Sequence, residues 1–187
     1  MIKNTSSHYG IISILQHWIG AILLIGLFIL GIIMVDWDYT HPYYYEGPHF
    51  HESLGIIFAI LLLVRIIWRL VNPKPTPLSS SQLQQRLAKY AHQLLYLLMV
   101  AIPISGYLIS SADGRSVKVF SWFEVPAITD ILDIKIDNLA TTSGDIHYWL
   151  SIAIIALTVL HIAAALKHHF VEKDDTLKRI LKSHSKK

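Results

Sequence analysis

Apolar residues in this chain gather into four long blocks and do not alternate with polar ones. No charge occurs between Lys3 and Asp36, and further blocks run from about His51 to Val71, Tyr90 to Ala112 and Ile146 to about His169. Each approaches or exceeds the roughly twenty residues that a helix needs to cross a bilayer. Glu52, Arg65 and Arg69 interrupt the second block, but both arginines fall in its last two turns, where long side chains reach the headgroups. The first and fourth blocks have no polar face wide enough for water, which argues against a soluble four-helix bundle. The pattern predicts an all-α integral membrane protein, one domain over residues 1–187, built as a four-transmembrane-helix bundle. Its spans are expected at about 11–35, 51–71, 90–112 and 146–169, with 170–187 as a basic tail. Pro103 should kink the third span.

The connections differ in character. Asp36 to Phe50 carries Trp37, Tyr39, Tyr43, Tyr44 and Tyr45 and reads as an interfacial segment with belt aromatics. Asn72 to about Gln84 is rich in Pro and Ser and reads as a loop. Asp113 to Gly144 is the longest, with a short surface helix expected around Ile128 to Leu132. The tail after Phe170 should form a short interfacial helix. The first block is too long for a signal-peptide core and no small-residue cleavage site follows it, so it is expected to remain as an anchor.

Composition agrees: the chain is 53% hydrophobic with a mean hydropathy of +0.45. Charge then orients the bundle. The N-terminus, the stretch from Arg65 to Lys89 and the tail from Lys167 hold 13 of the 16 Lys and Arg but only three of the 13 Asp and Glu, a net +10 against −7 on the other side. By the positive-inside rule both termini are cytoplasmic. The basicity reads as topology and contact with anionic lipid, not as nucleic-acid binding. The absence of cysteine rules out disulfides, Cys-ligated iron–sulfur clusters and thioether-linked haem.

Candidate chemistry lies in the histidines. His147 and His161 are separated by fourteen residues, close to four turns, so they share a helix face about 21 Å apart. Imidazoles at such depth are costly in lipid and usually mark cofactors or charge pathways. His17 and His161 each lie about six residues, roughly 9 Å, beneath the cytoplasmic boundary, and His51 and His147 lie within a turn of the external one. Depth therefore pairs His17 with His161 and His51 with His147, as axial ligands of two non-covalent b haems between the helices. A porphyrin plate needs small residues a turn either side of its ligand. Ser13, Gly20 and Ala21 flank His17; Gly47 and Gly55 flank His51; Ser143, Gly144 and Ser151 flank His147; Thr158, Ala164 and Ala165 flank His161. His92 fails this test, crowded by Leu95 and Tyr96, and reads as a propionate or loop partner. Arg65 and Arg69 inside and Arg115 outside are candidate propionate partners by charge-assisted pairing. His168 shares the face of His161 and could serve a haem carboxylate, although it and His169 also read as interfacial cations. His8, His41, His49 and His184 read as solvated. Bis-imidazole iron has no open site, which favours electron transfer over oxygen chemistry. Transition-metal binding by the same histidines, for transport or storage, is the competing reading.

The segments ISILQHWIGAILL, the span opening at His51, YLLMVAIPISGYLISSADGR and VLHIAAALKHHFVEKDDTLKRIL resemble the bacterial cytochrome b561 family. The likeness runs from about Tyr9 to Leu181, with QHW, ADGR and the HxAAAxxHH pattern most similar to the superoxide oxidase branch. The resemblance implies a bacterial inner-membrane cytochrome whose haem ligands fall on His17, His51, His147 and His161. It further implies that superoxide is oxidised to dioxygen at the external face and ubiquinone reduced; a relay subunit taking electrons from a partner dehydrogenase or hydrogenase to quinone is the alternative. Arg115, Lys118 and Lys135 are the cations that could focus an anionic substrate there. Trp149, Trp122 and Tyr107 are candidates for a quinone groove.

Overall fold

Each apolar block becomes a helix, and all but the first begin well before the expected span: α1 (Ile11–Met34), α2 (Glu46–Val71), α3 (Gln82–Ser111) and, after short surface elements, α5 (Leu139–Phe170). The structure is a computed structural model and describes residues 1–79, 81–133 and 136–182. Lys135 and His184 lie outside the described residues. At 1.5 Å per residue the four helices measure about 36 to 48 Å, longer than the roughly 30 Å hydrocarbon core. Their extra turns therefore project beyond it. Local chemistry sets the ends. The Ser81 side chain accepts from the Gln84 N–H to cap α3, Glu46 sits in the first turn of α2, and Arg69 in its last. These charges oppose the helix macrodipole. Helix α3 continues through Pro103.

Burial identifies the solvent. Ile22 is 69% exposed, Leu63 58%, Leu97 64% and Leu160 66%, while Ile14, Phe58, Leu62, Leu98 and Ile154 make a thin core between the helices. Water does not tolerate so large a contiguous apolar surface; lipid does. The protein is a membrane helical bundle.

Part of the segment expected as a loop before Phe50 is helical, because α2 begins at Glu46. The short helix expected near 128–132 is present as α4 (Ile128–Leu132), and the tail contains α6 (Thr176–Leu181). An unanticipated antiparallel hairpin, β1 (Val117–Val119) and β2 (Phe123–Val125), pairs Val117 with Val125 and Val119 with Phe123. It is fastened two residues from His51. The fully buried Ser53 hydroxyl donates to the Lys118 carbonyl at 3.2 Å and accepts the Phe120 N–H at 3.0 Å. Phe120 stands in the left-handed region (φ 48°) to close the turn, where Trp122 N–H meets the Val119 carbonyl. Ser53→Ala strands that amide, a loss of about 1–3 kcal/mol for a buried unsatisfied donor. Faster hydrogen exchange at Phe120, with the helices unchanged, is the expected result.

The other end is tied by both termini. Asn4 donates to the Pro73 carbonyl (3.2 Å), Thr76 N–H to Ser6 (2.8 Å), Arg179 to Thr76 (2.8 Å) and the Trp18 indole to Ile180 (2.9 Å). Both termini thus share the Lys- and Arg-rich end, and the hairpin lies at the acidic end.

Candidate functional site: two imidazole pairs

Helix α5 supplies one member of each histidine pair. His161 faces His17 of α1, with ring centres 6.5 Å apart and planes at 64°. His147 faces His51 of α2 at 6.1 Å and 77°. The structure thus brings together the four residues that depth matching pairs. Glycines on the opposing helices permit the approach. A Cβ at Gly31 would stand 3.3 Å from the His51 ring, and one at Gly106 only 3.0 Å from that of His147. Small residues on a histidine's own helix are visible in sequence, but these two, across the bundle, carry no mark there.

The hydrogen-bond partners set proton positions. His147 Nδ1 lies 3.0 Å from the Ile102 carbonyl and 3.2 Å from the Ser105 hydroxyl. A carbonyl only accepts, so Nδ1 carries the proton and Nε2 presents its lone pair. Ser105 Oγ donates to the same carbonyl at 2.8 Å. His51 Nδ1 is buried, with no partner in hydrogen-bond geometry among the described residues.

Around the other pair the neighbours are cationic. Arg65 reaches His17 Nδ1 at 3.4 Å, donates to the Gln16 carbonyl at 3.3 Å and to the Tyr96 hydroxyl at 3.0 Å. Arg69 lies over the Tyr96 ring at 4.9 Å. Neither arginine pairs with a carboxylate among the described residues. His92 sits 5.3 Å from His161, making a third imidazole at this level.

His168 is engaged elsewhere. Its Nδ1 lies 2.7 Å from Glu172 and 2.8 Å from Asp174, which places it in the polar cap of α5 with both partners acidic. Lys167, then Gln84 and His168, hold the Glu172 carboxyl below its usual range. Partial burial pushes Asp174 up, but hydrogen bonds from Thr176 and His168 outweigh it and leave a net lowering. At the opposite end Arg115 is exposed, and Lys118 pairs with Glu124 at 3.6 Å. Trp122 and Trp149 are exposed. Tyr107 donates to the Pro126 carbonyl at 2.6 Å and lines an apolar groove of about 330 Å³ between α2 and α3 with Ile56, Ala59, Pro103 and Val125.

The family profile described as prokaryotic cytochrome b561 matches residues 8–183. The chain belongs to that family. It is 46% identical over 179 residues to "Cytochrome b561 homolog 2" of Escherichia coli K12, covering 95% of this chain and 93% of the relative. It is 30% identical over 179 residues to "Probable superoxide oxidase CybB" of Yersinia pestis, covering 92% and 95%. "Cytochrome b561 homolog 1" of E. coli K12 is 30% identical over 135 residues, 70% of this chain and 72% of the relative. Membership makes this a bacterial membrane electron-transfer protein that binds haem b.

The residues present fit that group. An imidazole nitrogen bonds a transition metal at about 2 Å with its ring centre roughly an ångström behind, so two imidazoles facing each other across one iron would hold their centres about 6 Å apart. The pairs at 6.5 and 6.1 Å match, whereas His92 and His161, at 5.3 Å, stand closer than that spacing. Space for a plate exists as well: Cβ atoms at Gly55, one turn from His51, and at Gly144, one turn before His147, would meet nothing within 4 Å. The arginine geometry adds a further sign. With iron on Nε2, His17 Nδ1 keeps its proton and faces a guanidinium, two donors with no acceptor between them. A haem carboxylate would supply that acceptor.

Proposed function

We propose that this chain holds two b haems, one on His17 and His161 and one on His51 and His147, and passes electrons through them to ubiquinone in the bacterial inner membrane. What supports this is that two imidazole pairs, at two levels of one bundle, each stand at a separation that would let both rings share one iron. Bis-imidazole haem supplies one-electron exchange without an open coordination site. The chain's own groups do the rest. Arg65 and Arg69, with His92 beside them, hold the carboxylates at the cytoplasmic level, and Arg115 is the cation available outside. The Lys- and Arg-rich end, with both termini, faces the cytoplasm.

Superoxide is the donor in our first reading, carried by the likeness to the Yersinia pestis relative's printed name. Two superoxide anions each give one electron, ubiquinone takes both with two protons, and two molecules of dioxygen leave. A second reading is favoured by the acidic outer face, where Lys118 is already paired with Glu124. There a partner dehydrogenase or hydrogenase docks and the chain relays its electrons to quinone. Stopped-flow mixing of the oxidised protein with superoxide separates the two. Haem reduction well above outer-sphere background, followed by reoxidation with a ubiquinone analogue, is expected for the enzyme. Reduction at background rate, with a catalytic subunit co-purifying from membranes, would replace it by the relay.

A further inference from the structure

We infer that the neighbours of the two imidazole pairs hold their irons at different potentials, higher at His17/His161, so that electrons run from the hairpin end towards the end carrying both termini. The inference rests on the proposed haem ligation and concerns what the surrounding residues do to it. Reduction removes one unit of positive charge from the iron, so a fixed cation nearby favours it and an electron-rich ligand opposes it.

The two levels are opposite in both respects. At His17 the guanidinium of Arg65, charged at any pH the protein meets, stands 3.4 Å from Nδ1. Its other donors end on neutral oxygens of Gln16 and Tyr96. Arg69 adds a second cation across the Tyr96 ring. Any haem carboxylate drawn to these arginines has its own charge offset there. At His147 the Nδ1 proton is given instead to the Ile102 carbonyl at 3.0 Å, and a donated N–H raises the basicity of a metal-bound imidazole. Ser105 holds that carbonyl and that ring together. His51 is followed by the Glu52 carboxylate, anchored by the Ser110 hydroxyl. The described cations of this end, Arg115 and Lys118, are exposed, and Lys118 is spent on Glu124. Arg65 and Arg69 are therefore positioning residues for potential, acting on one level only.

Redox titration of the purified, haem-loaded full chain, followed at the b-type α band, tests this. His147→Ala isolates the inner component and His17→Ala the outer, which assigns the two midpoints. The inner midpoint should be the higher. Arg65→Gln should lower it by about tenfold in reduced-to-oxidised ratio at fixed ambient potential, about 59 mV for one electron, and leave the outer midpoint in place. Arg65→Lys should stay near the wild type, and Arg69→Gln should shift the inner midpoint in the same direction if Arg65→Gln loses haem. Equal midpoints, a reversed order, or an Arg65→Gln shift shared by both components overturns the inference while haem ligation stands. A colourless protein would remove the ligation itself.

Discussion

His17→Ala and His161→Ala should each abolish one and the same haem, and His51→Ala and His147→Ala the other. The effect would be all or none per site because a b haem has no covalent tether, so losing one of its two imidazole ligands would remove the main hold on it. Haem content per chain and the difference spectrum of purified variants measure this directly. The pairing is the sharp part. Any variant pair drawn across the levels, such as His17→Ala with His147→Ala, should remove both haems, whereas a pair within one level should remove one. His92→Ala should retain both, because the 5.3 Å between the His92 and His161 centres departs from the 6.5 and 6.1 Å of the two matched pairs. Loss of a haem in His92→Ala would reassign the inner site to α3 and α5.

Filling the plate's space should do the same damage without touching a ligand. Gly55→Leu and Gly144→Leu each add a branched side chain where a Cβ now meets nothing within 4 Å. The helices accept it readily, since leucine has the higher helix propensity by close to 1 kcal/mol. A porphyrin lying against that backbone does not. We expect each variant to insert and fold with its helical content intact, to keep the haem at His17/His161, and to lose the one at His51/His147. Full retention of both haems would mean that these glycines open on lipid, and the outer plate would then have to lie on the opposite side of its ligands. Circular dichroism beside haem content separates this result from misfolding.

How much of this was legible beforehand varies by element. The spans were, because the cost of burying backbone and charge in hydrocarbon leaves few ways to arrange four apolar blocks. The short helix at Ile128–Leu132 and the helical tail were legible as well. Helix ends were not: α2 begins at Glu46 and α5 at Leu139, several residues outside the apolar blocks, since a helix continues into the headgroups as long as its backbone bonds remain satisfied. The hairpin at Val117–Val125 leaves no pattern in the sequence because its strands are three residues long, and it is held to the bundle by residues far away in the chain, through Ser53, Phe50 and the burial of Val117 and Val119. His168, read as a candidate for a haem carboxylate, is instead committed to Glu172 and Asp174.

Periodicity and depth alone determined that this is a four-span membrane bundle and that its intramembrane histidines fall at two levels, because both quantities are measured along a helix axis. Sequence has no coordinate across the bundle. Only the tertiary structure decided that Gly31 and Gly106 lie against the imidazoles, that His147 gives its proton to the Ile102 carbonyl, and that Arg65 stands beside His17. Those are contacts between different helices, governed by how the helices rotate and pack against each other, and rotation is set by the sum of all side chains at the interface and not by any local pattern.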